Sequence, residues 1–141
     1  MEDYVSQLEG SFNLALEKVG ANKLAESFFD KFFAAYPEIS QYFAGTDIGY
    51  FKGKKLKIVF EFITDIVNHP DFAEVHIAQE VLRHQIYGLK DEAYYFVLID
   101  SLELAVKEAL GEKWNSDYQS AWHDIGLIFK AIIGKAVDEL L

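Results

Sequence analysis

The chain has 141 residues, 51% of them apolar and 16% aromatic, with 12 Phe and 8 Tyr, so it is long and apolar enough for one domain with a real core and is not a disordered chain. A formal charge of −10 sets it against phosphate backbones and anionic membranes. Zero cysteines exclude disulfides, thiolate metal sites, thiol catalysis and any thioether link to a cofactor.

No apolar run approaches the ~20 residues of a membrane span, and nothing resembles a signal peptide, so a cytoplasmic protein is expected. Two prolines, nine glycines and little β-branched alternation predict an all-helical fold. The first helix is expected over Asp3–Val19, with Val5, Leu8, Phe12, Leu16 and Val19 as its buried stripe and Gly20 as its stop. The second, Asn22–Tyr36, carries Phe28, Phe29, Phe32 and Phe33, a broad apolar face rather than a narrow seam. Pro37 ends it and opens a short helix to Phe43, and residues 45–49 form a connector.

Tyr50–His69 is the next helix, with Leu56, Val59, Phe60, Ile63 and Val67 on one face and Pro70 as its stop. Val75–His84 follows. Ile77, Val81 and His84 fall at i, i+4 and i+7, which aligns a histidine with an apolar stripe near a helix end. Gly88 and Lys90 turn the chain, and Asp91 is placed to cap a long helix to Leu110 that turns Tyr94, Val97, Leu98, Ser101 and Ala105 inward. Gly111 closes it. Ser116 and Gln119 read as a capping box for the last helix, where Trp122, Ile125, Phe129, Ile132 and Ala136 make the stripe. There is no internal repeat.

His76, Glu80 and His84 also stand at four-residue spacing, a pattern that suggests a metal site on a helix surface. Each four-residue step drifts by ~40°, so His76 lies about 80° from His84 and is expected to be exposed. Periodicity carries the reading this far and names no cofactor.

Three segments, in order and correctly spaced, resemble a bacterial single-domain globin of the flavohaemoglobin type without its reductase. Phe28 to Glu38, ending at Phe43, is similar to that family's B and C helices, with Phe43 in the place of the ring that stacks on haem. Arg83-His84, Tyr87-Gly88-Leu89-Lys90 and Tyr94 look like the proximal-histidine segment. Leu110 to Trp114, with Ala121-Trp122, looks like the last interhelical turn and final helix. The resemblance implies one globin domain over residues 1–141, with about seven helices in a three-over-three sandwich around a haem pocket.

It further implies non-covalent haem b, with His84 as the iron ligand. The implied pocket is drawn from His84, Phe43, Phe29, Lys52, Leu56, Leu89, Tyr94, Val97 and Phe129. Tyr94 matches the tyrosine that orients the histidine, while the family's partner glutamate is replaced by Val137, with Asp138 beside it. On the other side Phe29 stands where many relatives place tyrosine, and Lys52 where they place glutamine. Lys52 is read either toward the iron or, preferred, outward to solvent or a haem propionate with Lys54, Lys55 and Arg83.

The expected function is reversible binding or sensing of a diatomic ligand (oxygen, carbon monoxide or nitric oxide), weakly stabilised because the tyrosine donor is missing. A non-covalent linear tetrapyrrole (bilin) and a non-haem signalling module are the alternatives. Dioxygenase turnover is not expected, because no flavin domain follows Leu141 and a separate reductase would be needed. Association into a homodimer is compatible with the fold; nucleic acid and membrane are not expected partners.

Overall fold

The structure, a computed structural model, describes residues 2–38, 48–86 and 92–140, and of these the side chains at 2–4, 48–53, 55, 86 and 140 lie outside the description. Six α-helices are present among the described residues: α1 (Glu2–Val19), α2 (Ala21–Ala35), α3 (Ile48–Asn68), α4 (Pro70–Ile86), α5 (Ala93–Leu110) and α6 (Ser116–Leu140). A short 3₁₀ turn, Gly111–Lys113, joins the last two. The described residues contain no strand, in line with the all-helical expectation. Pro37 and Glu38 have 3₁₀ geometry, and the rest of the short helix expected to Phe43 lies outside the described residues.

The expected stripes lie toward the core, although Val5, Leu16, Val19, Phe33, Phe60, Val67, Val97 and Ile132 are only half-buried, and on α6 Ile133 is buried where Ile132 was expected. Leu8 and Phe12 of α1, Phe28, Phe29 and Phe32 of α2, and Leu56, Val59 and Ile63 of α3 are all buried. Ile77 and Val81 of α4 and Trp122, Ile125 and Phe129 of α6 join them in one continuous core. The centre of that core is α5. It buries Tyr94, Tyr95, Leu98, Ile99, Ser101, Leu102, Ala105, Val106 and Leu110, which is more than one helix face. α2, α1 and α6 all pack against it, while α3 bridges α2 and α4, and α4 closes onto α6. No helix among the described residues is long and apolar enough to cross a membrane.

Three helix ends differ from expectation, each for a local reason. Pro70 opens α4 rather than merely stopping α3, because a proline at the first helical position gives up an N–H that has no intrahelical partner anyway. His69 joins the two helices without a loop: its N–H donates to the Asp65 carbonyl at 2.7 Å, and its own carbonyl accepts from Ala73 N–H at 2.9 Å. At α6 the side-chain cap comes from Asn115, whose Oδ1 accepts from Tyr118 N–H at 2.9 Å. Gln119 instead accepts from the Trp114 indole N–H at 2.9 Å. The cap expected from Asp91 lies outside the described residues.

Gly20 joins α1 to α2 at φ 84° and ψ 155°, a conformation essentially confined to glycine. Its N–H closes α1 on the Leu16 carbonyl and its carbonyl accepts from Leu24 N–H, so both helices depend on this one residue. At the far end of the core, the buried Trp122 indole N–H donates to Ser11 Oγ at 2.8 Å, and Ser11 Oγ donates to the Leu8 carbonyl at 2.9 Å. This short polar chain ties α6 to α1 inside an otherwise apolar interior.

Two stability predictions follow from these contacts. A Cβ added to Gly20 meets nothing within 4 Å, so any cost is purely one of backbone conformation. Gly20→Ala is expected to lower unfolding free energy by about 1–3 kcal/mol. Gly10→Ala, within α1 and equally uncrowded, raises it by about 0.5–1 kcal/mol in the same urea titration. Ser11→Ala strands the buried Trp122 N–H and is expected to cost about 1–3 kcal/mol, whereas the change at exposed Ser6 stays within about 0.5 kcal/mol.

Candidate functional site

The last turns of α4 carry the candidate. Ile77, Val81 and His84 share a face, and the first two are buried under α3 and α6. That packing turns the His84 imidazole inward, to a side-chain exposure of 16%. Its Nδ1 lies 2.6 Å from the backbone carbonyl of Glu80, one helical turn back. A carbonyl only accepts, so Nδ1 must carry the proton, and the lone pair of the neutral ring resides on Nε2. The tautomer and the ring orientation are thus both set by the helix itself.

Around this imidazole the structure assembles a small enclosure. Val59 and Phe62 of α3, Ile77, Glu80 and His84 of α4, Tyr94, Tyr95 and Leu98 of α5, and Phe129 and Ile133 of α6 line a cavity of about 30 Å³. The Tyr94 ring lies 5.5 Å from the imidazole, centroid to centroid, and the Tyr95 ring meets it edge-on at 5.9 Å. Phe32 of α2 packs behind Tyr94 at 5.4 Å. The walls are therefore mostly apolar or aromatic, with a few polar atoms inside.

Those polar atoms are unevenly satisfied. The Tyr95 hydroxyl is buried and has no hydrogen-bond partner among the described residues. Burial pushes the ionisation of both Tyr94 and Tyr95 above the ordinary tyrosine range; the neighbouring Tyr95 ring adds to this at Tyr94, and the Glu80 carboxylate adds to it at both. Glu80 reaches the enclosure from the α4 side. Its Oε2 lies 3.8 Å from His84 Nδ1 and 2.6 Å from the Arg83 guanidinium.

Of the residues read from the sequence, the cavity wall brings together His84, Tyr94 and Phe129. Phe29 is buried with its ring against Phe28 and Phe33, and Val97 is half-buried at the edge of the core. Leu56 is buried on α3 but does not line this cavity. With Phe12, Leu16, Ala21, Lys57, Phe60 and Glu61 it lines an apolar groove of about 400 Å³ between α1 and α3. Lys52 belongs to α3, but its side chain lies outside the description, as do Phe43 and Leu89 altogether. Asp138, the carboxylate next to Val137, is exposed on α6.

Glu80 and Tyr95 were not read as wall residues, nor were Val59, Phe62, Ile77, Leu98 and Ile133. For Glu80 the signal was present, at four residues before His84. His76 differs from its expectation: it is half-buried, with its ring edge-on to Phe62 at 4.7 Å and beside Phe72 at 5.4 Å, and its Nδ1 is buried without a hydrogen-bond partner among the described residues. No three His, Asp or Glu side chains gather into a metal-binding group among the described residues, so the His76-Glu80-His84 spacing does not assemble one.

The donor chemistry fits a metal-bearing tetrapyrrole at His84, because a helix-held Nδ1–H leaves Nε2 as the basic nitrogen. Space is a separate matter. About 30 Å³ is one water's share of liquid volume, and cofactor pockets run to several hundred cubic ångströms. The enclosure is therefore smaller than a flat macrocycle requires.

The family model described as Globin matches residues 26–132, most of the chain. A comparison with curated proteins gives no match. The chain belongs to the globin family.

Two outcomes are expected at the tyrosines. Below the ordinary tyrosine pKa of about 10 both states hold their protons. As pH rises past it the unfolded chain ionises first, so stability falls with rising pH until the folded tyrosines ionise too. Ultraviolet absorbance should show these two rings titrating only as the fold is lost. Tyr95→Phe removes an unpartnered buried hydroxyl, so it is expected to leave thermal stability unchanged or raised, whereas Tyr95→Ala costs about 3–5 kcal/mol.

Proposed function

We propose, from the premise that the chain is a globin, that it binds haem non-covalently with His84 as the iron ligand and so binds or senses a small diatomic molecule such as oxygen, carbon monoxide or nitric oxide. The observation that carries this reading is the 2.6 Å contact between His84 Nδ1 and the Glu80 carbonyl, on an inward face that adjoins Tyr94 and Phe129. Haem held by these residues would supply an iron at which a diatomic ligand could bind.

The chain's own residues divide the remaining work. Glu80, through its carbonyl, holds the His84 ring in plane and keeps the proton on Nδ1. Tyr94, packed between Phe32 and the imidazole, blocks rotation of that ring. Val59, Leu98, Phe129 and Ile133 keep the enclosure apolar and exclude water from it. Phe29 offers no hydrogen-bond donor where a tyrosine in many relatives does, which supports weak stabilisation of a polarised ligand. The flavohaemoglobin-type placement, haem b in particular and a cytoplasmic setting belong to this same reading.

Haem titration of the purified chain is expected to produce a stoichiometric Soret band. His84→Ala is expected to lose the histidine-ligated spectrum, and added imidazole to restore it. An unchanged spectrum in His84→Ala would remove the ligand assignment. Uptake of a bilin in place of haem on co-expression, with long-wavelength absorption and no Soret band, would replace the haem reading altogether.

A further inference from the structure

α4 is apolar on two opposite faces. Ala73, Ile77 and Val81 are buried in the core, while Phe72, Val75 and Leu82 fall on the other side of the helix and are 60%, 59% and 41% exposed. A helix with apolar side chains on both faces needs cover on both, and a contiguous apolar patch left to water marks a place of association. α3 extends the patch. Its Ile58 is 43% exposed, and its half-buried Phe62 ring meets the His76 ring at 4.7 Å, which lies 5.4 Å from the Phe72 ring. Aromatic surface thus runs from one helix to the other. Of the seven large hydrophobic side chains exposed among the described residues, these four share the α3–α4 face, and Leu104, Leu127 and Ile128 belong to α5 and α6.

The two ends of the patch carry opposite charge. α3 and α4 fold back on each other from the joint at His69. Along α3, at helical spacing, the strip reads Lys54, Ile58, Phe62, Asp65; along α4 it reads Asp71, Phe72, Val75, Leu82, Arg83. On both helices the carboxylate lies at the joint end and the cation at the far end. Arg83 pairs with Glu80 of its own helix, yet its side chain is 64% exposed, so its remaining donors face solvent. Turned end for end about a two-fold axis, such a surface complements itself: apolar centre meets apolar centre, and each acidic end meets a basic one.

The geometry points to the α3–α4 face as the surface on which two copies of this chain join in an isologous dimer, α4 against α4 in opposite directions. A formal charge of −10 on each copy opposes association at long range, so the apolar centre supplies the affinity and the charged ends set the direction. The dimer needs no cofactor and does not depend on the reading of His84.

Analytical ultracentrifugation of the purified full chain over a wide concentration series is expected to show a monomer–dimer equilibrium. Val75→Glu, which places a carboxylate twice in the apolar centre, is expected to weaken it by roughly 100-fold or more. Leu127→Glu, at a comparably exposed position on α6, changes it by no more than about twofold. Asp65→Lys and Lys54→Asp each weaken the dimer by about tenfold, and both together on one chain restore it, because each end then meets its opposite again. Helical circular dichroism of every variant matches the wild type, which separates lost association from lost folding. A wild-type chain that stays monomeric at every concentration overturns the proposal and leaves the face to a partner other than this chain. A dimer that survives Val75→Glu, one that Leu127→Glu dissociates, or a double charge reversal no tighter than either single one overturns it equally.

Discussion

The arrangement depends on α5 being buried on more than one face. A helix with one apolar stripe needs one neighbour, but α5 needs several, and α1, α2 and α6 supply them. Its small buried residues, Ser101 and Ala105, let neighbouring backbones come close, while Leu98, Ile99, Leu102 and Val106 fill the space between. The consequence appears at its first turn. There the Tyr94 and Tyr95 rings meet at 89°, and both also meet the His84 ring. Tyr94 contacts Phe32 of α2 and His84 of α4, while Tyr95 reaches the His84 ring edge. The candidate site is therefore the end of the core, not a feature added to its surface.

One polar chain keys this apolar interior. The Trp122–Ser11–Leu8 chain fixes the register of α6 against α1, since a slip of either helix would bury an indole N–H without an acceptor. Surface pairs such as Lys31–Glu108 and Lys135–Glu74 link α2 to α5 and α6 to α4, but exposed ion pairs contribute little individually. The weight falls on packing. At the other end the Tyr95 hydroxyl is buried with no hydrogen-bond partner among the described residues. A buried hydroxyl without a partner is a cost to folding.

Much of this was legible in the sequence, and the failures have physical causes. The stripes on α1, α2, α3 and α6 followed from a 3.6-residue period, and the inward aim of His84 followed from Ile77 and Val81. Periodicity gives a face; it does not say which neighbour the face meets. That is why Leu56 was read toward a cofactor and lies in the groove beside α1, while Val59, three residues on, lines the His84 cavity. The start of α4 was missed because proline was taken as a stop, although it suits the first helical position equally well. Glu80 was visible at the right spacing, but the contact that matters most is made by its backbone, which residue identity cannot reveal. Tyr95 was hidden behind Tyr94, since two adjacent buried tyrosines require a helix enclosed on two sides.

The loopless junction at His69 has a mechanical consequence. α3 and α4 pack together and share one residue as their joint, so any change in the angle between them is magnified with distance from His69. His84 lies fifteen residues from that joint along α4, roughly 22 Å at the helical rise. Over that lever, turning one arm by about 10° parts the tips by ~4 Å, which is the thickness of one layer of aromatic carbon.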